Sequence, residues 1–307
     1  MSKPSALLIA NPQATRVTAP TRDLIARAFA SVTDLEVAWT EDRDHATKLA
    51  ADAATNGVKI VIALGGDGTV NECAQGLLRT DTALAVVPSG GADVFARTLG
   101  IPRDTVEAAD ILIERIESRV AAEPRGVGTL LGPSDPERVF LFNAGIGFDA
   151  SIVASVDRHP TRKRRYGQAY FVAQTLKSFF FTYPRRGVDV FVRSDAGDAT
   201  GRFVVWCVSD PYTYLGKRGL HLCTDADPSK GLSALLMQEM PTLRTLRTAL
   251  RGFGRGVRSA KGITILNGVT RATVETSQPL LSHTDGEIRE ELTHARVELV
   301  PGGLKVL

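Results

Sequence analysis

The chain has 307 residues, 43% hydrophobic and 23% charged, which is long enough for two buried cores and has the balance of a globular protein. A net charge of +3 makes no case for nucleic acid, and no uninterrupted apolar stretch approaches the roughly 18 residues of a bilayer span. Three cysteines, Cys73, Cys207 and Cys223, without a CxxC pair fit a reduced cytoplasmic setting and argue against a zinc site or a disulfide framework.

Ala6–Ala10 reads as a first strand, too short for a signal-peptide core and closed by the turn-forming Asn11-Pro12. Thr21–Ser31 has helical periodicity, Leu35–Thr40 reads as a strand, and Arg43–Asn56 reads as a helix opened by Asp42. The β-branched run Lys59–Leu64 predicts a buried strand. It empties into Gly65-Gly66-Asp67-Gly68-Thr69-Val70-Asn71-Glu72, and a helix is expected from Val70 to about Arg79. A strand ending in glycines ahead of a helix presents backbone N–H groups and the positive end of a dipole, the environment phosphates prefer. The glycines let the backbone approach a ligand with no Cβ in the way. Asp67 repels phosphate, so its natural role is to hold a cation, most simply Mg²⁺, against it.

The strand Ala83–Val87 follows, then Pro88-Ser89-Gly90-Gly91 and helices over Asp93–Leu99 and Asp104–Ser118. Repeated βα units predict a doubly wound α/β domain around a largely parallel sheet, whose ligands gather beyond the carboxyl ends of the strands. Asn11, Gly65–Thr69 and Pro88–Gly91 all fall at such ends. Beyond about Gly132, Arg138–Asn143 reads as a strand, Ala144–Asp149 leads into a helical stretch, and a second helix is expected over Gly167–Phe181. From Gly187 the segments shorten: Val188–Arg193, Phe203–Val208, Leu220–Cys223, Leu232–Gln238, Gly262–Leu266, Thr270–Glu275, Leu280–Ser282 and Ala295–Val300, with one helix over Thr242–Arg251. That spacing predicts an antiparallel β sandwich.

Asn11-Pro12, the Gly65–Glu72 octapeptide, Pro88–Arg97 before Leu99-Gly100-Ile101-Pro102, Asn143–Asp149, Leu215-Gly216 ahead of Thr224-Asp225-Ala226, and Asp285-Gly286-Glu287 occur in one order. In that order they resemble the diacylglycerol kinase catalytic family, which includes bacterial lipid kinases and sphingosine kinases. The resemblance implies an N-terminal α/β domain of the NAD kinase and phosphofructokinase kind, residues 1–132 with 295–307 returning to it. It also implies a mainly β lipid-substrate domain, residues 133–294, and a cleft between the two. The implied activity is transfer of the ATP γ-phosphate to a hydroxyl of diacylglycerol or a related lipid, giving a phosphatidate-like product. Asn11, Gly65, Gly66, Asp67, Gly68, Thr69 and Glu72 would serve the nucleotide, as would Ser89, Gly90 and Gly91, with Asp67 placing Mg²⁺. Asp285 would be the general base, with Glu287 helping to organise metal or base. Read from the residues alone, Asp285-Gly286-Glu287 is a solvated turn, since Asp-Gly is common turn chemistry; the glycine octapeptide upstream tips the reading to function.

The chain departs from the family pattern at three places. Gly91-Ala92 and Asp93 stand where a hydroxyl residue and an Asn are usual, so Asp93 is expected to add negative charge near phosphate. Thr224–Ser233 replaces an Asp-rich turn, leaving a metal site there in doubt and Lys230 as a substitute charge. Ser209-Asp210 stands where an Asn is usual. Two other readings stay open: a kinase for a soluble acceptor such as NAD, whose group also uses Gly-Gly-Asp-Gly but against which Asn71-Glu72 and Phe95-Ala96-Arg97 count, and, on the departures at Gly91, Asp93 and Ser229, a nucleotide- or lipid-binding protein whose catalysis has decayed.

A lipid acceptor lies in a bilayer, and two basic segments are candidates for touching the inner face of a membrane. One is Arg158–Arg165 with the aromatics Phe179–Tyr183 nearby. The other is the helix from Thr242, where Arg244, Arg247, Arg251, Arg255 and Arg258 run beside Leu243, Leu246, Leu250, Phe253 and Val257. The alternative for that helix is an apolar stripe packed on the core with solvated arginines. No segment declares an oligomer, and a homodimer stays open.

Overall fold

The computed structural model describes residues 2–12, 18–158, 170, 173–175, 177–178 and 189–307. The basic run after Arg158, the aromatics Phe179–Tyr183 and most of the helix expected over Gly167–Phe181 lie outside those residues. The chain divides into two compact units, Met1–Gly126 with Pro301–Leu307, and Val127–Val300.

The first unit alternates β1 (Ser5–Ala10), α1 (Ala19–Val32), β2 (Asp34–Trp39), α2 (His45–Thr55), β3 (Ile60–Gly65), α3 (Asp67–Leu77), β4 (Ala83–Pro88), α4 (Val94–Thr98) and α5 (Thr105–Glu117). The strands pair in parallel in the order β4-β3-β1-β2, and Lys305–Val306 pairs in parallel with Ala83–Leu84. β3 and β4 are buried at every position, as expected of parallel strands covered on both faces, whereas the edge strand β2 is largely exposed. Ile25 and Phe29 of α1 and Leu112 and Ile116 of α5 fill one core against Leu8, Ile62, Leu64 and Val87. α2 and α3 meet through small residues: a Cβ on Gly76 would stand 2.8 Å from Ala51 N.

Two helix starts differ from expectation. α2 opens at Asp44, in a left-handed conformation with no side-chain cap bond, rather than at Asp42. α3 opens at Asp67 rather than Val70, with extended Gly66 as its cap, so the octapeptide itself forms the first turn.

β5 (Glu123–Leu131) leads from one unit into the other. The second unit contains β6 (Arg138–Phe140), β7 (Asn143–Ile146), α6 (Phe148–Asp157), β8 (Val190–Ser194), β9 (Gly197–Gly201), β10 (Val204–Cys207), β11 (Thr213–Leu215), β12 (Arg218–Leu220) and β13 (Leu232–Met237). After α7 (Thr242–Gly252) come β14 (Ile263–Val269), β15 (Arg271–Thr284) and β16 (Glu287–Val306). Its strands run antiparallel in the order β14-β13-β10-β7-β15, and β15 also pairs with β8 and β16. β10 and β13 are buried on both faces, and their side chains alternate between two cores. Val204, Trp206, Ala234 and Leu236 join one core; Val205, Cys207, Leu235 and Met237 join the other.

The segments Thr270–Glu275 and Leu280–Ser282 form a single strand, β15, whose pairing shifts between Glu275 and Leu280. Pro279 sits at that shift, where a missing N–H donor is tolerated. The strand expected over Leu220–Cys223 is instead Arg218–Leu220, paired with β11 in a separate two-stranded ribbon. Among the described residues no helix is long and apolar enough to cross a membrane.

Candidate active site

In the first unit, β1, β3 and β4 deliver three loops to one end of the parallel sheet. Asn11, just past β1, donates its backbone N–H to Leu64 O at 3.2 Å and its side-chain amide to Thr69 Oγ1 at 3.4 Å. The two glycine loops pass backbone against backbone. A Cβ on Gly90 would lie 2.7 Å from Gly66 Cα, and one on Gly66 3.2 Å from Gly90 Cα. A Cβ on Gly65 would collide with the Thr69 side chain, whereas Gly91 faces open space. Gly66 caps α3 without a side chain, leaving the helix N-terminus to the backbone and its dipole. This cradle of glycines at a helix N-terminus fits phosphate.

The side chains around the loops are placed less uniformly than the motif implies. Asp67 Oδ1 accepts the Phe95 N–H at 3.2 Å, tying the first glycine loop to the start of α4. Glu72 is engaged elsewhere: its Oε2 accepts Ala46 N–H at 3.1 Å and its carbonyl accepts the Thr47 hydroxyl. It thereby caps α2, whose own Asp44 makes no side-chain cap. Ser89 is 0% exposed and its hydroxyl lies beneath the loop surface, so its backbone N–H, donated to Gly65 O, is what joins the two loops.

Asp93 does not present an open charge. Its Oδ1 accepts Gly90 N–H at 2.8 Å, and its Oδ2 lies 3.9 Å from Arg103 Nε. Arg103 also donates to Gly91 O at 2.7 Å. The carboxylate therefore closes the second loop and is balanced by a guanidinium that motif reading passed over; the only sequence signal was a cation soon after Leu99-Gly100-Ile101-Pro102. Among the described residues no group of three or more His, Cys, Asp or Glu side chains is gathered to hold a metal. Mg²⁺ needs no such cage where one carboxylate and the phosphates themselves provide ligands, so Asp67 beside a phosphate cradle fits that use.

In the second unit, Asp285-Gly286 forms the two-residue turn between β15 and β16, flanked by the Thr284–Glu287 pair. Both residues have positive φ, 49° and 79°, as a tight I′-type hairpin requires. The turn is not solvated. Asp285 is 6% exposed, and its carboxylate accepts backbone N–H groups from Leu141 at 2.7 Å, Phe142 at 3.1 Å and Asn143 at 3.0 Å. Glu287 lies 3.2 Å from Arg289, which also donates to Thr284 Oγ1.

Next to the turn is a buried relay absent from the motif reading. His283 Nδ1 accepts Gly286 N–H at 3.3 Å, which leaves the ring proton on Nε2 for Asp149 Oδ2 at 2.6 Å. Asp149 also accepts the Tyr212 hydroxyl at 2.7 Å. Burial, then the Asp149 charge, push the Tyr212 phenol well above its ordinary range, so it remains a donor. The backbone of Tyr212 in turn holds the Asn143 amide at 3.0 Å. Nearby, Asp210 lies 2.5 Å from His221 Nδ1. In the Thr224–Ser233 turn, Lys230 Nζ sits 2.8 Å from Asp227 Oδ2. Its hydrogen bond, with that of Ser229, holds the Asp227 carboxyl well below the usual range.

Residues 5–122 match the model of the diacylglycerol kinase catalytic domain. The chain is 30% identical over 278 residues to a Pseudomonas aeruginosa (strain UCBPP-PA14) protein named "Probable lipid kinase YegS-like", covering 89% of this chain and 83% of that one. It is 29% identical over 279 residues to the diacylglycerol kinase of Bacillus subtilis (strain 168), covering 87% and 86%. Its fold matches the crystal structure of a diacylglycerol kinase from Bacillus anthracis str. Sterne with a TM-score of 0.70 and 21% identity, over 98% of this chain and 96% of that one. With an α/β first unit, a mainly β second unit and these relatives, the chain belongs to the diacylglycerol kinase catalytic-domain family of lipid kinases.

Proposed function

We propose that the chain transfers the γ-phosphate of ATP to a hydroxyl of diacylglycerol or a related lipid, yielding a phosphatidate-like product. The observation that carries this reading is the approach of Gly66 to Gly90 at the N-terminus of α3, where any Cβ would intrude. In this reading the first unit is the nucleotide domain: backbone N–H groups of the Gly65–Thr69 turn and of Gly91 hold the phosphates, while Asn11, through its side chain on Thr69, and Gly90, by its close approach to Gly66, shape the cradle. Ser89 and Glu72 support that cradle from behind. Asp67 helps place Mg²⁺, which when bound neutralises phosphate charge. The second unit binds the lipid, with Asp285 taking the hydroxyl proton and Glu287 organising its turn.

The carboxylate that takes the proton need not be a strong base. Phosphoryl transfer asks little of it, because the proton moves only as the new O–P bond forms. Of the departures that motivate a decayed kinase, Asp93 is engaged by Gly90 and Arg103, so the loop carries no uncompensated negative charge from that residue.

The test is incubation of purified protein with radiolabelled ATP and Mg²⁺ on a total lipid extract, beside NAD as a soluble acceptor, followed by identification of the labelled product. Label in a phosphatidate-like lipid supports the reading. Label in NADP alone, or in no product, refutes it.

A further inference from the structure

Helix α7 is amphipathic in the reverse sense for a helix that packs on a core. Its apolar residues Leu243, Leu246 and Leu250 are 62%, 37% and 72% exposed, whereas the buried positions are Thr248 and Gly252. At about 100° per residue the three leucines fall within an arc of about 60°, and Thr248 and Gly252 lie on the far side.

That orientation is fixed by close packing. Gly252 O accepts the His221 N–H at 2.7 Å, and a Cβ on Gly252 would stand 2.7 Å from Leu220 Cδ1. The Thr248 hydroxyl turns back to Arg244 O at 2.9 Å, so it makes no polar demand on the surface beneath. Exposed Arg247 and Arg251 flank the leucines, and exposed Arg255 and Arg258 follow the helix. Between Met240 and Gly262 the chain has six cations and no carboxylate.

We propose that this face docks on an anionic lipid bilayer. The leucines enter the boundary between headgroups and acyl chains, and the arginines lay their apolar stems along it with guanidinium groups at the lipid phosphates. A second copy of this chain fits poorly: three leucines fall far short of the roughly 800 Å² per partner of a stable interface, and pairing would set one arginine-rich segment against another. The choice of a bilayer over an acidic protein rests on the lipid-acceptor reading above.

The test is co-sedimentation of the full chain with vesicles of phosphatidylcholine, and of equal parts phosphatidylcholine and phosphatidylglycerol. Wild type is expected to prefer the mixed vesicles and to lose that preference at high salt. Arg247→Gln with Arg251→Gln is expected to lower partitioning to mixed vesicles by roughly tenfold or more, and Leu243→Ser with Leu250→Ser by a similar factor. The replaced side chains are exposed, so unchanged melting verifies the fold of each variant. Equal partitioning of wild type and both variants overturns the proposal. So does a leucine variant that changes the oligomeric state while leaving vesicle binding intact.

Phosphorylation of a short-chain diacylglycerol dissolved as monomers separates the two readings. Turnover kept by variants that no longer bind vesicles supports docking apart from catalysis. A wild type without lipid turnover sinks the kinase reading, while vesicle partitioning still decides this one.

Discussion

Replacing Asp285 by Asn tests whether the second unit hangs on this carboxylate. Three backbone N–H groups converge on it at 2.7, 3.1 and 3.0 Å in a site where the residue is 6% exposed. An Asn side chain keeps an oxygen for Phe142 and Asn143 but turns an NH₂ group toward the Leu141 N–H. Leaving that donor buried and unpaired costs about 1–3 kcal/mol. The two surviving bonds lose their charge assistance, about 1 kcal/mol each, since charged hydrogen bonds are roughly twice as strong as neutral ones. Removing a buried charge returns part of its desolvation penalty, which brings the net loss to about 3 kcal/mol. For a unit the size of Val127–Val300 this lowers the melting temperature by roughly 6–12 °C. Thermal melting by circular dichroism measures the loss, and lipid phosphorylation well below both melting points measures the chemistry. An Asn variant melting within about 1 °C of wild type refutes the clamp. One that keeps full turnover refutes the role of Asp285 as proton acceptor.

Gly90→Ala, whose Cβ would press on Gly66 Cα, is expected to weaken nucleotide binding by roughly tenfold or more in calorimetry, whereas Gly91→Ala, facing open space, leaves stability within about 0.5 kcal/mol. Equal behaviour of the two variants would contradict the paired-loop geometry. Arg103→Gln strips Asp93 of its balancing cation, so nucleotide affinity should fall, and fall more at low salt than at high; an affinity loss independent of salt would point to packing instead. Burial and Asp149 raise the Tyr212 pKa, so above about pH 10 the unfolded chain releases a proton that the folded chain retains. Its contribution is therefore complete below about pH 10 and is lost as pH rises. Urea midpoints of wild type should drop between neutral pH and about pH 10.5 more steeply than those of Tyr212→Phe, and parallel drops would exclude Tyr212 as the cause.

Much of the first unit is legible locally. The β-branched run before Gly65, the glycines themselves and Asp104, which caps α5 through Val106 and Glu107 N–H groups, announce their structures within a few residues. Local reading gives out where the deciding contact is distant. Asp67-Gly68-Thr69 reads locally as a loop, yet it is the first turn of α3, tied to Phe95 across 28 residues of sequence. Glu72 belongs by motif to the phosphate loop, but α2 lacks a cap of its own and takes this carboxylate. Asp93 looks like a liability until Arg103 is placed beside it.

The second unit is less legible in its sequence because β pairing is non-local. Nothing near Asp285 in sequence says whether its Asp-Gly turn faces water, and the three N–H groups that bury it come from residues more than 140 positions earlier. Likewise the periodicity of α7 shows that leucines and arginines lie on adjacent stripes, but period alone cannot say which side meets the protein. The answer came from Gly252 against Leu220 and His221, small enough to let the helix lie on its polar side. By itself the sequence determined backbone preference, side-chain chemistry and hydrophobic period, because each is a property of neighbours along the chain. Only the tertiary structure decided which carboxylates are consumed as caps and clamps and which apolar stripe is left outside, because those outcomes depend on partners that the chain brings together only when it folds.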